Sequence, residues 1–324
     1  MAICLSSGWR QKAGITMPEL WPGTLGAVTP YFGWDLVRDV QELFRYAFMQ
    51  HAFEAGTIVA IVAGVIGYFV VLRGLSFAAH ALSHIGFAGA TGAALMGLAP
   101  IVGLLTFTMS AGAVMGALGQ RLRGRDVTIG LVMAWSLGLG LLFTALYHGS
   151  AQLAIGILFG QIFGITTQEV VVTLVAGALT VATLIAIYRP LLFATLDEEV
   201  AEAKGVPVWG LSIVFMVVLA VAVSEAVQAV GVLLIFALIV APAAIAERFT
   251  TRPSRGVMLS AATAVLFTWA GLVVAYYVPY PVGFFITTIA FGSYAVARLG
   301  SDLARRGAAR RLPVRRDEQA RHSP

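Results

Sequence analysis

Runs of about 20 apolar residues recur along nearly the whole chain, and they leave it few ways to fold. Each run is long enough to cross the hydrocarbon core of a bilayer as a helix. The runs are apolar on every side, whereas the strands of a membrane barrel alternate polar and apolar residues. A helix satisfies its backbone groups within itself, so helices are the form such runs take in lipid. Composition agrees: of 324 residues, 59% are hydrophobic and 11% charged, against roughly a quarter charged in a soluble domain. One cysteine, Cys4, excludes an intrachain disulfide and a thiolate metal cluster. The formal charge is +5, but Lys and Arg gather in short loops and a tail, as on the cytoplasmic side of membrane proteins, so no nucleic-acid partner is expected.

The expected spans are 54–72, 75–97, 101–119, 127–147, 168–188, 207–223, 226–246, 257–278 and 282–298. The expected fold class is therefore all-α: a polytopic helical membrane protein of about eight or nine transmembrane helices. Arg73, the cluster Arg121, Arg123 and Arg125, the pair Arg189 and Lys204, the cluster Arg248, Arg252 and Arg255, and the tail from Arg298 to Arg321 fall on one side under this count. That side is expected to be cytoplasmic, with the amino terminus outside. Residues 1–34 form an N-terminal extension, expected outside and poorly ordered, with Met17 as a second candidate start. Residues 35–53 place Leu36, Val40, Leu43, Phe44 and Ala47 on one helical face, suited to lying at the membrane interface. Residues 54–299 form the transmembrane domain, and 300–324 a basic cytoplasmic tail, expected to be disordered and close to anionic lipid heads.

Two regions depart from the spanning pattern. Residues 150–163 are too short to cross and suit a re-entrant half-helix, which lipid tolerates only when protein or a water-filled cavity surrounds it. In the loop 189–206, Pro190 is expected to end the preceding helix. Asp197, Glu198 and Glu199 then open a short helix at its positive dipole end, and Gly205 and Pro207 close it. A short helix in a cytoplasmic loop is suited to docking another protein.

The residues best placed for chemistry are His80 and His84. Four apart on a helix, they share one face, about 6 Å apart along the axis. Ionisable groups at membrane depth commonly mark transport paths, and imidazole binds zinc, iron and other first-row metals. The alternative is that both rings hydrogen-bond backbone carbonyls or hydroxyls of neighbouring helices. Around them stand Ala78, Ala79, Ala81, Ser83, Gly86, Ala88 and Gly89, small residues that let helices approach closely. Glu225 begins the seventh expected span, either as a helix-capping acid or as a carboxylate that attracts a cation. Gln228 is a candidate for interhelical hydrogen bonding, Pro242 for a kink, and His51 and His148 for interfacial positions. The chain has no GxxxxGK[ST] phosphate loop, no HExxH and no GxSxG, so ATP hydrolysis by that loop, zinc proteolysis and a serine-hydrolase elbow are not expected.

Several blocks together resemble the membrane permease subunits of ABC importers for zinc, manganese and iron. YAFMQHAFEAGTIVAIVAGVIGYFVVLRGLSFAAHALSHIGFAGA resembles that family's opening block, with its Gly-punctuated first span, Leu-Arg turn and Ser-His second span. FGQIFGIT, LDEEVAEAKGVPV and VQAVGVLLIFALIVAPAAIA resemble later blocks, in order, over about residues 43–298. The resemblance implies a permease, not an enzyme, of the bacterial plasma membrane, with no permanent cofactor and a divalent metal ion as cargo. It implies three partners: an ATP-binding subunit, an extracytoplasmic metal-binding protein, and a second permease subunit forming a homodimer. His84 matches the family's Ser-His histidine, and Asp197, Glu198, Glu199, Ala201 and Gly205 fall in its ATPase-docking loop. Many members carry aspartate where this chain has His80, an exchange that tilts ligand preference toward zinc over manganese. Two alternatives remain at this point. A permease for iron-siderophore or vitamin B12 would need a wide vestibule and no metal ligands, and a proton-coupled carrier would need carboxylates in several spans.

Overall fold

The computed structural model describes residues 43–118, 125–147, 152–278 and 280–311. The long helices are α1 (Ala47–Leu72), α2 (Ser76–Leu95), α3 (Pro100–Leu118), α4 (Arg125–Leu146), α6 (Thr167–Leu196), α8 (Val208–Val230), α9 (Val232–Phe249), α10 (Pro253–Tyr277) and α11 (Val282–Arg311). Two short helices, α5 (Gln152–Phe159) and α7 (Glu198–Ala203), sit between them, and a 3-10 turn, Ile162–Gly164, follows α5. Among the described residues, eight helices are long and apolar enough to cross a membrane. The long helix outside that set is α2, which carries the histidine pair. It is less hydropathic than its neighbours, and 14 of its 20 residues are buried. An interior helix meets protein instead of lipid, so it needs small residues for packing more than it needs apolar bulk.

α1 is the hub, packed on α10, α9, α6 and α8. α2 packs on α3 and α4, and α3 in turn packs on α8. The α2–α3 contact is made backbone to backbone. A Cβ on Gly89 would meet the Gly103 carbonyl group and the Phe107 Cβ, and a Cβ on Gly103 would meet the Gly89 carbonyl and the Ala93 Cβ. The small residues seen in the sequence around the pair thus serve helix packing first. A buried hydrogen bond of 2.6 Å between Thr108 and Ser224 ties α3 to α8.

The structure moves several expected boundaries. The last residues of the expected interfacial helix, Ala47–Phe53, form the first turns of α1, and 35–42 lie outside the described residues, as do 1–34. Pro190 does not end a helix, since α6 runs through it to Leu196. An interior proline forfeits one backbone hydrogen bond, and membrane helices tolerate it where neighbours and local adjustments re-satisfy the freed groups. α9 likewise runs through Pro242. The expected break near Glu225 falls instead at Gly231, whose φ of +85° is what an abrupt elbow between two helices requires. The tail is helical as far as Arg311, in keeping with the high helix propensity of its Ala, Leu and Arg residues.

Candidate functional site

His80 and His84 project from one face of α2 with ring centroids 4.6 Å apart and planes at 88°. Both rings are partly buried, and the Nδ1 atom of each is buried without a hydrogen-bond partner. Backbone carbonyls and hydroxyls therefore do not account for these two nitrogens. The hydroxyl of Ser83, between them, is bound to the His80 carbonyl at 2.7 Å. From α9, the Phe236 ring lies 4.8 Å from that of His80, at 59°.

Glu225 stands elsewhere. It lies inside α8, 7% exposed, so it caps no helix. Its Oε2 faces Gly177 of α6, which packs against Ile58 and Val62 of α1, and its Oε1 has no hydrogen-bond partner. Thr180, near Gly177 on the buried face of α6, also holds an unpartnered hydroxyl. Among the described residues no three His, Cys, Asp or Glu side chains stand together as a metal-holding group, so the fold does not bring Glu225 to the histidine pair.

A cavity of about 410 Å³ opens between the start of α3, α5, the 3-10 turn, the start of α6 and the end of α8. Gln161, Glu169, Thr173 and Gln228 supply its polar lining. Gln228 is thus exposed to a cavity instead of being packed between helices. Neither Glu169 nor Gln161 stands out as a site residue in the sequence. The signal for the former was Thr166-x-x-Glu169, a capping box in which the Thr166 amide donates to Glu169 at 2.8 Å and the Glu169 amide donates to the Thr166 hydroxyl. The short helix α5 is followed by Gly160, φ +77°, whose backbone presses on that of Val230 and Gly231 at the α8–α9 elbow. A side chain at either glycine would occupy the other's main chain. His51 lies in the first turns of α1, 3.5 Å from Glu54 and 3.2 Å from Thr167 of α6, while His148 lies outside the described residues.

On another loop, Asp197 caps α7 by accepting the Val200 amide at 3.0 Å. Glu198 and Glu199 occupy its first turn, and Gly205, φ +83°, follows it. Ala201 is fully buried and seats the short helix, while Leu196 and Val200 are left exposed at 68% and 44%.

These features are those of a helical transport subunit: long apolar helices around an interior helix that carries polar groups. The model of the ABC 3 transport family matches residues 45–300, and the chain belongs to that family. It is an integral membrane permease, not an enzyme, and ATP hydrolysis in such systems resides in a separate subunit. It is 30% identical to the manganese transport system membrane protein MntC of Listeria innocua, over 73% of this chain and 85% of that protein. It is 27% identical to the manganese import system permease protein ScaB of Streptococcus gordonii, over 73% and 85%. Among solved structures it resembles PsaBC from Streptococcus pneumoniae in complex with Fab, with a TM-score of 0.73 and 27% identity over 81% of this chain and 95% of that one.

Proposed function

We propose that this permease forms the translocation path of an ATP-driven importer of divalent transition-metal ions, with His84 and His80 as transient ligands. One observation carries the ligand assignment: two imidazoles on one face of the interior helix, each with a buried Nδ1 that no protein group satisfies. A conduit must release what it binds, and two imidazoles hold an ion less firmly than a closed site of four ligands. The ligand chemistry favours zinc over manganese, because both donors are neutral nitrogens where a manganese path suits carboxylate. The relatives named for manganese pull the other way. Glu225 enters as a separate carboxylate on the α1–α6 side of α8, not as a third ligand of the pair.

In this reading an extracytoplasmic metal-binding protein delivers the ion, and two copies of the chain pair to complete the pore. An ATPase subunit docks on each through α7, where Asp197, Glu198, Glu199, Ala201 and Gly205 shape the helix and the exposed Leu196 and Val200 offer an apolar contact. In the same reading the Arg-rich loops face the cytoplasm, with α7 and the carboxyl terminus on that side and the amino terminus outside; the bias of Lys and Arg toward cytoplasmic loops supports it. The test is ATP-dependent uptake of radiolabelled zinc and manganese by vesicles holding the complete transporter, for wild type and His84→Ala. Uptake lost in an assembled mutant supports the path, and the preferred isotope names the ion. Unchanged uptake makes the pair structural.

A further inference from the structure

We infer that Phe236 is the positioning residue for His80, and that this ring, in place of a hydrogen bond, sets the geometry of the pair. The inference rests on the pair being part of the path. Histidines that bind metal are commonly oriented by a hydrogen bond on their second nitrogen. In His80 and His84 the buried Nδ1 has none. His80 instead meets two aromatic neighbours: the edge-on ring of His84 at 4.6 Å and the tilted ring of Phe236 at 4.8 Å. Phe236 arrives on a different helix, one turn past the Gly231 elbow. That elbow is fixed in turn by the close crossing of Gly160 and Gly231, so α9 delivers Phe236 to a defined place. Phe236 is itself 36% exposed, so its ring meets His80 without being fully packed in the core.

Three variants of the complete transporter test this: Phe236→Leu, which keeps apolar bulk without a ring, Phe236→Tyr, which keeps the ring, and Phe236→Leu in a His80→Asp background. Zinc uptake should fall about tenfold in kcat/KM for Phe236→Leu, the usual size of losing an orienting partner, and stay near wild type for Phe236→Tyr. In the His80→Asp background there is no imidazole to orient, so adding Phe236→Leu should change uptake less than about twofold. Titration of the purified complex with Co²⁺, followed by visible absorption, gives a readout independent of turnover. It should show the same weakening for Leu and its rescue by Tyr. Equal activity of Phe236→Leu and wild type would overturn the inference, as would an undiminished loss in the His80→Asp background. If His84→Ala transports normally, the reading of the path fails instead, and the two failures are told apart.

Discussion

Replacing Gly89 by alanine should separate α2 from α3 and weaken the whole bundle. The new Cβ would stand 2.8 Å from the Gly103 carbonyl carbon and 2.7 Å from the Phe107 Cβ, with the Gly103 oxygen nearer still. Ordinary contact begins near 3.4 Å, so the helices must part by at least about half an ångström along their crossing. Neither obstacle is the free end of a flexible side chain: one is main chain, and the other is a Cβ fixed to it. Overpacking of this kind costs about 1–3 kcal/mol, and here contact is also lost along an interface that van der Waals packing holds together. Thermal unfolding in detergent, followed by size-exclusion fluorescence, should show Gly89→Ala and Gly103→Ala each lowering the midpoint. The double variant should cost less than the two losses combined, because one separation makes room for both methyl groups. The control is Gly138→Ala in α4, where nothing lies within 4 Å, and where helix propensity should add about 0.5–1 kcal/mol. If Gly89→Ala melts like wild type, or the double variant is additive, the α2–α3 approach is not as close as described.

Three further outcomes are expected. Thr108→Ala, Ser224→Val and their double variant should reveal an interhelical coupling of about 0.6 kcal/mol in a double-mutant cycle, the usual size for such bonds within membranes. Glu225→Leu removes a buried carboxyl with an unpartnered oxygen and should raise thermal stability by about 1–3 kcal/mol in metal-free buffer; a loss of stability there would show that Glu225 has a polar partner. Asp197→Ala removes the α7 cap, worth about 1 kcal/mol, and should leave the transporter assembled while reducing uptake per ATP hydrolysed; unchanged coupling would remove α7 from the docking surface.

Most of the fold could be read from the chain because apolar length is a strong signal, and each long helix overlaps a run visible in the sequence. The errors came where backbone chemistry decides. Glu225 looked like a helix start because an acid preceded an apolar run, yet nothing in Ser-Glu-Ala-Val-Gln breaks a helix, and Gly231 does. Pro190 looked like a stop because interior proline is costly in water, but a bundle supports the helix through it. The capping acids of α7 were legible because Asp197 and the two glutamates act within one turn. Phe236 was not legible, because it and His80 are more than 150 residues apart in the chain and no local pattern announces their meeting.

The weak hydropathy of α2 has a consequence for how the protein is made. As the chain emerges from the ribosome, α1 is apolar enough to partition from the insertion channel into lipid alone, and α2, with two histidines and a stripe of small residues, is not. Its packing partners α3, α4 and α8 are all synthesised after it, so its place in the membrane relies on them. The helix that carries the histidine pair thus depends on partners made after it for its place in the membrane. Substitutions that loosen its partners should appear first as failed biogenesis, before any change in transport by the molecules that do mature.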